Sequence, residues 1–259
     1  MDYKRINHND KDYAVFNIQY KETKLPIIID WSDFAIIKKL NKKWKCNNNG
    51  FIYCQQDKND YYLHELIMSL KNKDTGLSNR SKAIVHINRI GLDNRRENLI
   101  YDMIDKDITK NAKKKKRTVN LPKKCGICPD TIPTYIWYMQ PDSSHGERFM
   151  VNIGDVNWKT TSSNNLSLKY KLEEAKMFLR HLLRARPDLY EEYSMNGDFN
   201  KEGKELINSY YDIIHSCGYN YIKKVVPEKN TVDLLRPDYD SLDDDEKDAL
   251  RETRKYISQ

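Results

Sequence analysis

Residues 13–29 carry apolar side chains in the rhythm of paired strands. Tyr13–Tyr20 and Pro26–Ile29 are rich in β-branched and aromatic residues and are split by a turn-like segment at 21–24. The period then changes. Trp31, Phe34, Ile37 and Leu40 recur every three residues, which predicts a helix with Asp30 as its N-cap. Trp44–Cys54 reads as a hairpin around Asn47–Gly50, and Tyr61–Leu70 returns to helical spacing. A polar loop, Asp74–Lys82, leads into a predicted strand at Ala83–Ile87.

The second half has a different character. Pro122, Pro129 and Pro133 punctuate a linker, and strands are predicted at Thr134–Met139, Arg148–Ile153 and Asn157–Thr161. Leu166–Ala185 is the clearest helix. Leu168, Leu172, Ala175, Leu179 and Leu182 share one face, while Lys169, Lys171, Glu173, Glu174, Lys176 and Arg180 fall elsewhere. From Glu202 the pattern is helical. It ends in an acidic stretch, Asp238–Asp248, where Ser241 with Asp244 is expected to cap a last helix, Leu242–Ile257.

Charge sharpens this picture. The 259 residues carry a net +7, but Lys106–Lys124 holds nine Lys or Arg against Asp107 alone, so that strip is +8 and the rest of the chain is −1. One basic strip on a near-neutral body is the footprint of a polyanion binder, with nucleic acid ahead of a bare linker. Lys113–Arg117 also fits a nuclear-import signal, which is compatible with either. No apolar run approaches the ~18–20 residues that a membrane span needs, and the start is too polar for a secretory signal. The five cysteines, an odd number, point to a reducing compartment, so an intracellular, non-secreted protein is expected.

The candidate chemistry lies in Ala83–Asp102, AIVHINRIGLDNRRENLIYD. A histidine, His86, ends a β-branched run; a short turn follows, then Leu92, Asp93, Asn94, Arg95, Arg96, Asn98 and Leu99. This order resembles the HNH (His-Me finger) endonucleases, particularly the homing-type enzymes of phages and large DNA viruses. Leu63-His64-Glu65-Leu66-Ile67 is similar to a segment that precedes the motif in those proteins. The family's aspartate before the histidine is absent, and Val85 stands there.

The resemblance implies that His86 is the general base and that Asn94 helps to orient it, since an imidazole titrates near working pH. It implies Mg²⁺ or another divalent cation if the site is active, with the helix ligand falling at Asp107 or Asn111 and Asp93 as a substitute for the missing carboxylate. Arg95, Arg96, Lys110, Lys113, Lys114, Lys115, Lys116 and Arg117 are the candidate nucleic-acid contacts. Asn98 reads as a residue that satisfies turn backbone. His64 has two open readings, a second metal or phosphate contact and a hydrogen-bonded structural histidine. His145, His181 and His215 have no partner at ligand spacing and read as structural or surface residues. Cys125–Cys128 is a single CxxC with no second pair at finger spacing, so zinc is not expected, and these two cysteines with Cys46 and Cys54 read as free buried thiols.

Three strands followed by one amphipathic helix, with the segment Trp158–Thr161, resembles the Apetala-type DNA-binding domain, in which the sheet lies in the major groove and the helix braces it from behind. The expected fold class is therefore α+β: a ββα-metal nuclease-like domain over 1–117, a basic, proline-containing linker over 118–133, an Apetala-like domain over 134–195, and a helical, acidic region over 196–259 open to a protein partner. Two functions follow, a metal-dependent DNA endonuclease or an HNH-derived factor that binds DNA or RNA in viral gene expression without hydrolysis. DNA is the expected ligand ahead of RNA, and no membrane role is expected.

Overall fold

The computed structural model describes residues 2–75, 83–101, 119–220 and 235–257. It is mixed α+β, with small antiparallel sheets and several helices. The chain divides into two compact units, Met1–Thr109 with Lys201–Lys224, and Lys110–Asn200 with Val225–Gln259.

The first unit is built on β1 (Tyr3–His8), β2 (Lys11–Tyr20) and β3 (Thr23–Asp30), paired antiparallel in that order. Strand β1 has no counterpart among the elements that the apolar pattern predicts. Its side chains are mostly exposed, so it carries no apolar alternation and is held by its ladder to β2. The near-continuous apolar run of β2 is explained by burial on both faces. Ala14, Phe16 and Ile18 join a core with Phe34 and Ile37 of α1 (Trp31–Lys39), with Ile52 of the second sheet and with Leu63 and Ile67 of the helix that follows it. Tyr13 and Val15, with Ile28 of β3, join a second cluster with Tyr210, Ile213, Ile214 and Cys217.

Tyr210, Ile213 and Ile214 of that cluster belong to a helix, Lys201–Ser216, that returns from far along the chain. Residues 196–259 are therefore not one region. Lys201–Ser216 completes the first unit, and the final helix completes the second.

Strands β4 (Lys45–Cys46), β5 (Ile52–Gln56) and β6 (Asn59–Tyr62) form the second small sheet. The helical pattern read from Tyr61 begins later, because Tyr61 and Tyr62 pair with Cys54 and Tyr53; α2 spans Leu63–Thr75. Asp30 occupies the N-cap position of α1 without a side-chain cap bond, since its Oδ2 accepts from the Arg96 main-chain nitrogen instead, 2.6 Å. Strands β7 (Ile84–His86) and β8 (Leu99–Tyr101) form a two-stranded hairpin, joined by a loop that ends in a single 3-10 turn at Arg96–Asn98.

In the second unit β9 (Ile136–Met139), β10 (Arg148–Ile153) and β11 (Val156–Lys159) pair antiparallel in the order β11-β10-β9. Helix α3 (Leu168–Ala185) packs against β10. Ser167 caps it by accepting from the Tyr170 main-chain nitrogen, 3.1 Å. Three of the charged residues that fall off its apolar face, Lys171, Glu173 and Glu174, are buried by tertiary cover; Glu173 accepts from Asp238 N at 2.8 Å and Glu174 from Thr161 N at 3.1 Å. The segment read as linker contributes buried Ile132 to this unit.

Helix α4 (Pro187–Glu192) follows, then α5, the returning helix Lys201–Ser216, and α6 (Asp244–Ile257). Helix α6 packs on α3 through Leu250 and Tyr170. Its cap is Asp243, whose Oδ1 accepts from Glu246 N at 2.8 Å; Ser241, the expected cap, donates to Asp238 O in the preceding 3-10 turn.

Candidate functional site

The motif loop docks on the free edge of β3. Ile28 N donates to Leu92 O, 3.0 Å, and Asn94 N donates to Ile28 O, 2.9 Å, so Asp93 forms a parallel bridge beside Ile28. Gly91 packs against the tip of the β4–β5 hairpin so closely that a Cβ there would stand 2.3 Å from the Gly50 carbonyl oxygen. This contact brings Phe51, the next residue, over the site. Its ring stacks on His86 at 5.6 Å between centroids.

His86 ends β7 opposite Leu99 of β8. It is 3% exposed, and its Nε2 lies 3.4 Å from Asn94 Oδ1. Asn94 is itself fixed, donating from Nδ2 to Gly91 O at 3.0 Å. Burial lowers the His86 pKa to about 4, with the Asn94 bond opposing, so the ring is neutral at neutral pH. The sequence-derived pair of His86 and Asn94 is thus brought together. Val85 is half-buried and pairs with Ile100, and strand alternation turns it to the opposite face of the hairpin from His86.

His64 stands beside them at the start of α2. Its ring centroid is 5.3 Å from that of His86, with the planes at 83°, and Tyr62 stacks on it at 5.3 Å. Burial, then the neighbouring His86, lowers its pKa to about 4. Phe51 and Tyr62 carry no site signal in the sequence, where they flank a hairpin like any other aromatic pair.

The remaining motif residues are committed inward. Both Asp93 oxygens are taken: Oδ1 accepts from Arg95 Nε at 2.8 Å, and Oδ2 from Arg95 Nη2 at 2.7 Å and from Asn88 Nδ2 at 2.6 Å. Asp93 is therefore no candidate metal ligand, because each of its oxygens already has a charged donor in a dry site. Arg95, fully buried, also reaches Glu97 Oε1, Ser209 Oγ and Leu206 O. It cannot grip phosphate as the sequence suggests. Arg96 pairs bidentately with buried Asp33, at 2.8 and 2.6 Å, and its side chain is 26% exposed.

Asn98 matches its expected role. Its Oδ1 accepts from Asn88 N and its Nδ2 donates to Asp93 O and Asn88 Oδ1. Asp107, Asn111, Lys110, Lys113, Lys114, Lys115, Lys116 and Arg117 lie outside the described residues. Among the described residues no group of three or more His, Cys, Asp or Glu is gathered for a metal. All five cysteines are free thiols; of the four expected to be buried, Cys54 is, Cys46 and Cys125 are half-buried, and Cys128 is exposed.

In the second unit, the sheet turns one face to α3 and the other away. The register sets Trp137, Met150 and Lys159 in one row, Met139 beside Arg148, and Asn152 beside Asn157. Ile136, Phe149, Val151 and Ile153 alternate with these and are buried. The outer face therefore presents two cations, two amides and a tryptophan 41% exposed. The Arg148 and Lys159 side chains have no ion-pair partner among the described residues. The TT of the Trp158–Thr161 segment lies beyond β11, where Thr160 Oγ1 accepts from Phe149 N and Thr161 N donates to Glu174.

The chain is similar to an uncharacterized protein of Acanthamoeba polyphaga mimivirus, 25% identical over 247 residues that span 90% of this chain and 70% of that protein. No protein-family model matches the chain, and no solved structure does. No helix among the described residues is long and apolar enough to cross a membrane.

Proposed function

We propose that this chain is a nucleic-acid-binding protein, with duplex DNA as its ligand, built from an HNH-type hairpin unit and a three-strand-plus-helix unit of the Apetala type. The observation that carries this reading is the outer face of the β9–β10–β11 sheet. There Arg148, Lys159, Asn152 and Asn157 stand beside exposed Trp137, with the two cations clear of ion-pair partners among the described residues. Such a surface offers cations to phosphates and amides to base edges. The basic strip at 106–124 adds a sequence-independent electrostatic share. The mimivirus relative and the resemblance to viral HNH proteins support action in an infected cell, in cytoplasm or nucleus.

Fluorescence anisotropy of a labelled duplex, titrated with the full chain across a salt series, tests the reading. Binding that weakens steeply with salt is expected. Absent or salt-independent binding overturns it, and preference for a single strand or RNA corrects the ligand.

Phosphodiester hydrolysis is a second reading, favoured by one observation: a neutral His86 held by Asn94 has a lone pair free to accept a proton, although the burial that lowers its pKa to about 4 makes it a weak base. The family's Mg²⁺ does not fit the described residues here. Val85 offers no oxygen and Asp93 is occupied by Arg95, so neither position can hold that ion. Plasmid nicking with Mg²⁺, Mn²⁺ or chelator separates the readings. On the binding reading the native chain does not nick with Mg²⁺, and activity gained in Val85→Asp marks a disarmed nuclease. Nicking by the native chain that His86→Ala abolishes establishes the enzyme.

A further inference from the structure

We propose that His64 and His86 together bind one nitrogen-preferring divalent transition ion, such as Zn²⁺ or Co²⁺, in place of the oxygen-bound Mg²⁺ of the family. This ion site is independent of the nucleic-acid reading. Both rings are more than nine-tenths buried, at 9% and 3% exposed. Yet Nδ1 of each is buried without a hydrogen-bond partner among the described residues. A buried polar atom left unpaired forfeits its hydration with nothing in return, and here two stand in adjacent rings.

The tautomer points in the same direction. Asn94 Nδ2 is already donating to Gly91 O, which leaves Oδ1 facing His86 Nε2 as an acceptor. The proton of the neutral ring therefore sits on Nε2, and Nδ1 carries the lone pair. An imidazole whose far nitrogen is held by an amide or carbonyl oxygen is the arrangement found behind metal-ligating histidines. The spacing fits as well. With metal–nitrogen bonds of ~2.1 Å, two imidazoles on one tetrahedral ion have ring centroids ~5 Å apart. The observed separation is 5.3 Å, and the planes are nearly perpendicular. Edge-to-face packing alone gives a similar distance, so it is the unpartnered nitrogens that single out a ligand.

The choice of ion follows from the donors. Two neutral imidazoles, with no carboxylate gathered beside them among the described residues, favour zinc, cobalt, nickel or copper over magnesium and calcium. Two protein ligands leave the other coordination positions to water, as in an open rather than a structural site. Tyr62 and Phe51 flank the pair and hold the rings in place.

The test uses the full chain with Cys125→Ser and Cys128→Ser, so that the CxxC thiols take no metal. Co²⁺ is followed by its visible absorption and Zn²⁺ by calorimetry, with Mg²⁺ as competitor. One equivalent of Co²⁺ is expected, undisturbed by millimolar Mg²⁺, with affinity at least tenfold weaker in both His64→Gln and His86→Gln. No Co²⁺ binding, or binding unchanged in both variants, overturns the proposal. Should either variant unfold, the wild-type chain decides. Its cobalt-loaded NMR spectrum is expected to show hyperfine-shifted imidazole N–H signals, and their absence overturns the assignment. No nucleic acid enters this experiment, so its failure leaves the DNA-binding reading standing.

Discussion

Arg95 donates from Nη2 to the main-chain oxygen of Leu206, 3.0 Å away across 111 positions of sequence. The same guanidinium closes on Asp93, with both side chains wholly buried. One residue of the motif loop thereby ties helix α5 to the hairpin that carries His86.

Replacing Arg95 by methionine is expected to cost ~3–5 kcal/mol, because Asp93 is left as an unpaired buried charge. Arg95→Lys should recover little, since an ammonium cannot reproduce the bidentate geometry. Chemical denaturation of the first unit measures both. A destabilisation below ~1 kcal/mol for Arg95→Met would remove the pair from this structural role.

A chain ended at Asn200 should lose the first unit as well as the residues it lacks. Tyr210, Ile213 and Ile214 cover Tyr13, Val15 and Ile28, and without them that face of the sheet lies open to solvent. Aggregation or weak amide protection in β2 is the expected result. A soluble, cooperatively folded fragment would show that α5 is dispensable.

Gly91→Ala places a methyl 2.3 Å from a main-chain oxygen of Gly50, which has no side-chain rotamer to yield. The expected destabilisation is ~1–3 kcal/mol, as for an overpacked core. The Phe51 ring should shift off His86, detectable in the histidine ring resonances. An unchanged melting temperature and spectrum would mean that the two loops part easily.

On the outer sheet face, Arg148→Ala with Lys159→Ala should weaken binding to all DNA sequences and lower the salt slope by ~0.9 for each phosphate no longer neutralised. Neutralising Lys113–Lys116 is expected to act in the same way from outside the described residues. Asn152→Ala should instead alter sequence preference more than the slope. Unchanged affinity and slope in the Arg148/Lys159 double variant would move the interface elsewhere.

Glu174 gives the second unit a pH dependence of defined sign. Burial raises its pKa to about 7 from an ordinary 4.5, opposed by the Thr161 N–H and Lys171. The folded state then binds the proton more tightly than the unfolded one, so this contribution is present below pH 4.5 and is lost as pH rises through 7. The span corresponds to ~3 kcal/mol. Glu174→Gln, which keeps the acceptor for Thr161, should remove the dependence and stabilise the unit at alkaline pH. Parallel stability–pH curves for the two proteins would exclude the effect.

Local signals were legible wherever one element buries one face. The period-three stripe of α1, the strands β9 to β11 and the long helix α3 all follow from single-faced burial, with ends displaced by a few residues. Strand β1 was not legible, because a mostly exposed edge strand has no apolar alternation to betray it. The inward side chains of Glu173 and Glu174 were hidden for the opposite reason. They bind main-chain groups at 161 and 238 that helical periodicity does not register.

Residue order alone places His86 at the end of a strand, Asn94 after it on a loop, and Asn98 in service of turn backbone. These are short-range relations, within about a dozen residues, which backbone geometry nearly dictates. Packing, by contrast, makes Asp93 and Arg95 satisfy each other rather than a metal and a phosphate, brings His64 to His86, and closes the first unit with α5. Those outcomes depend on which charges lose water together, and desolvation is a property of the packed molecule rather than of residue order.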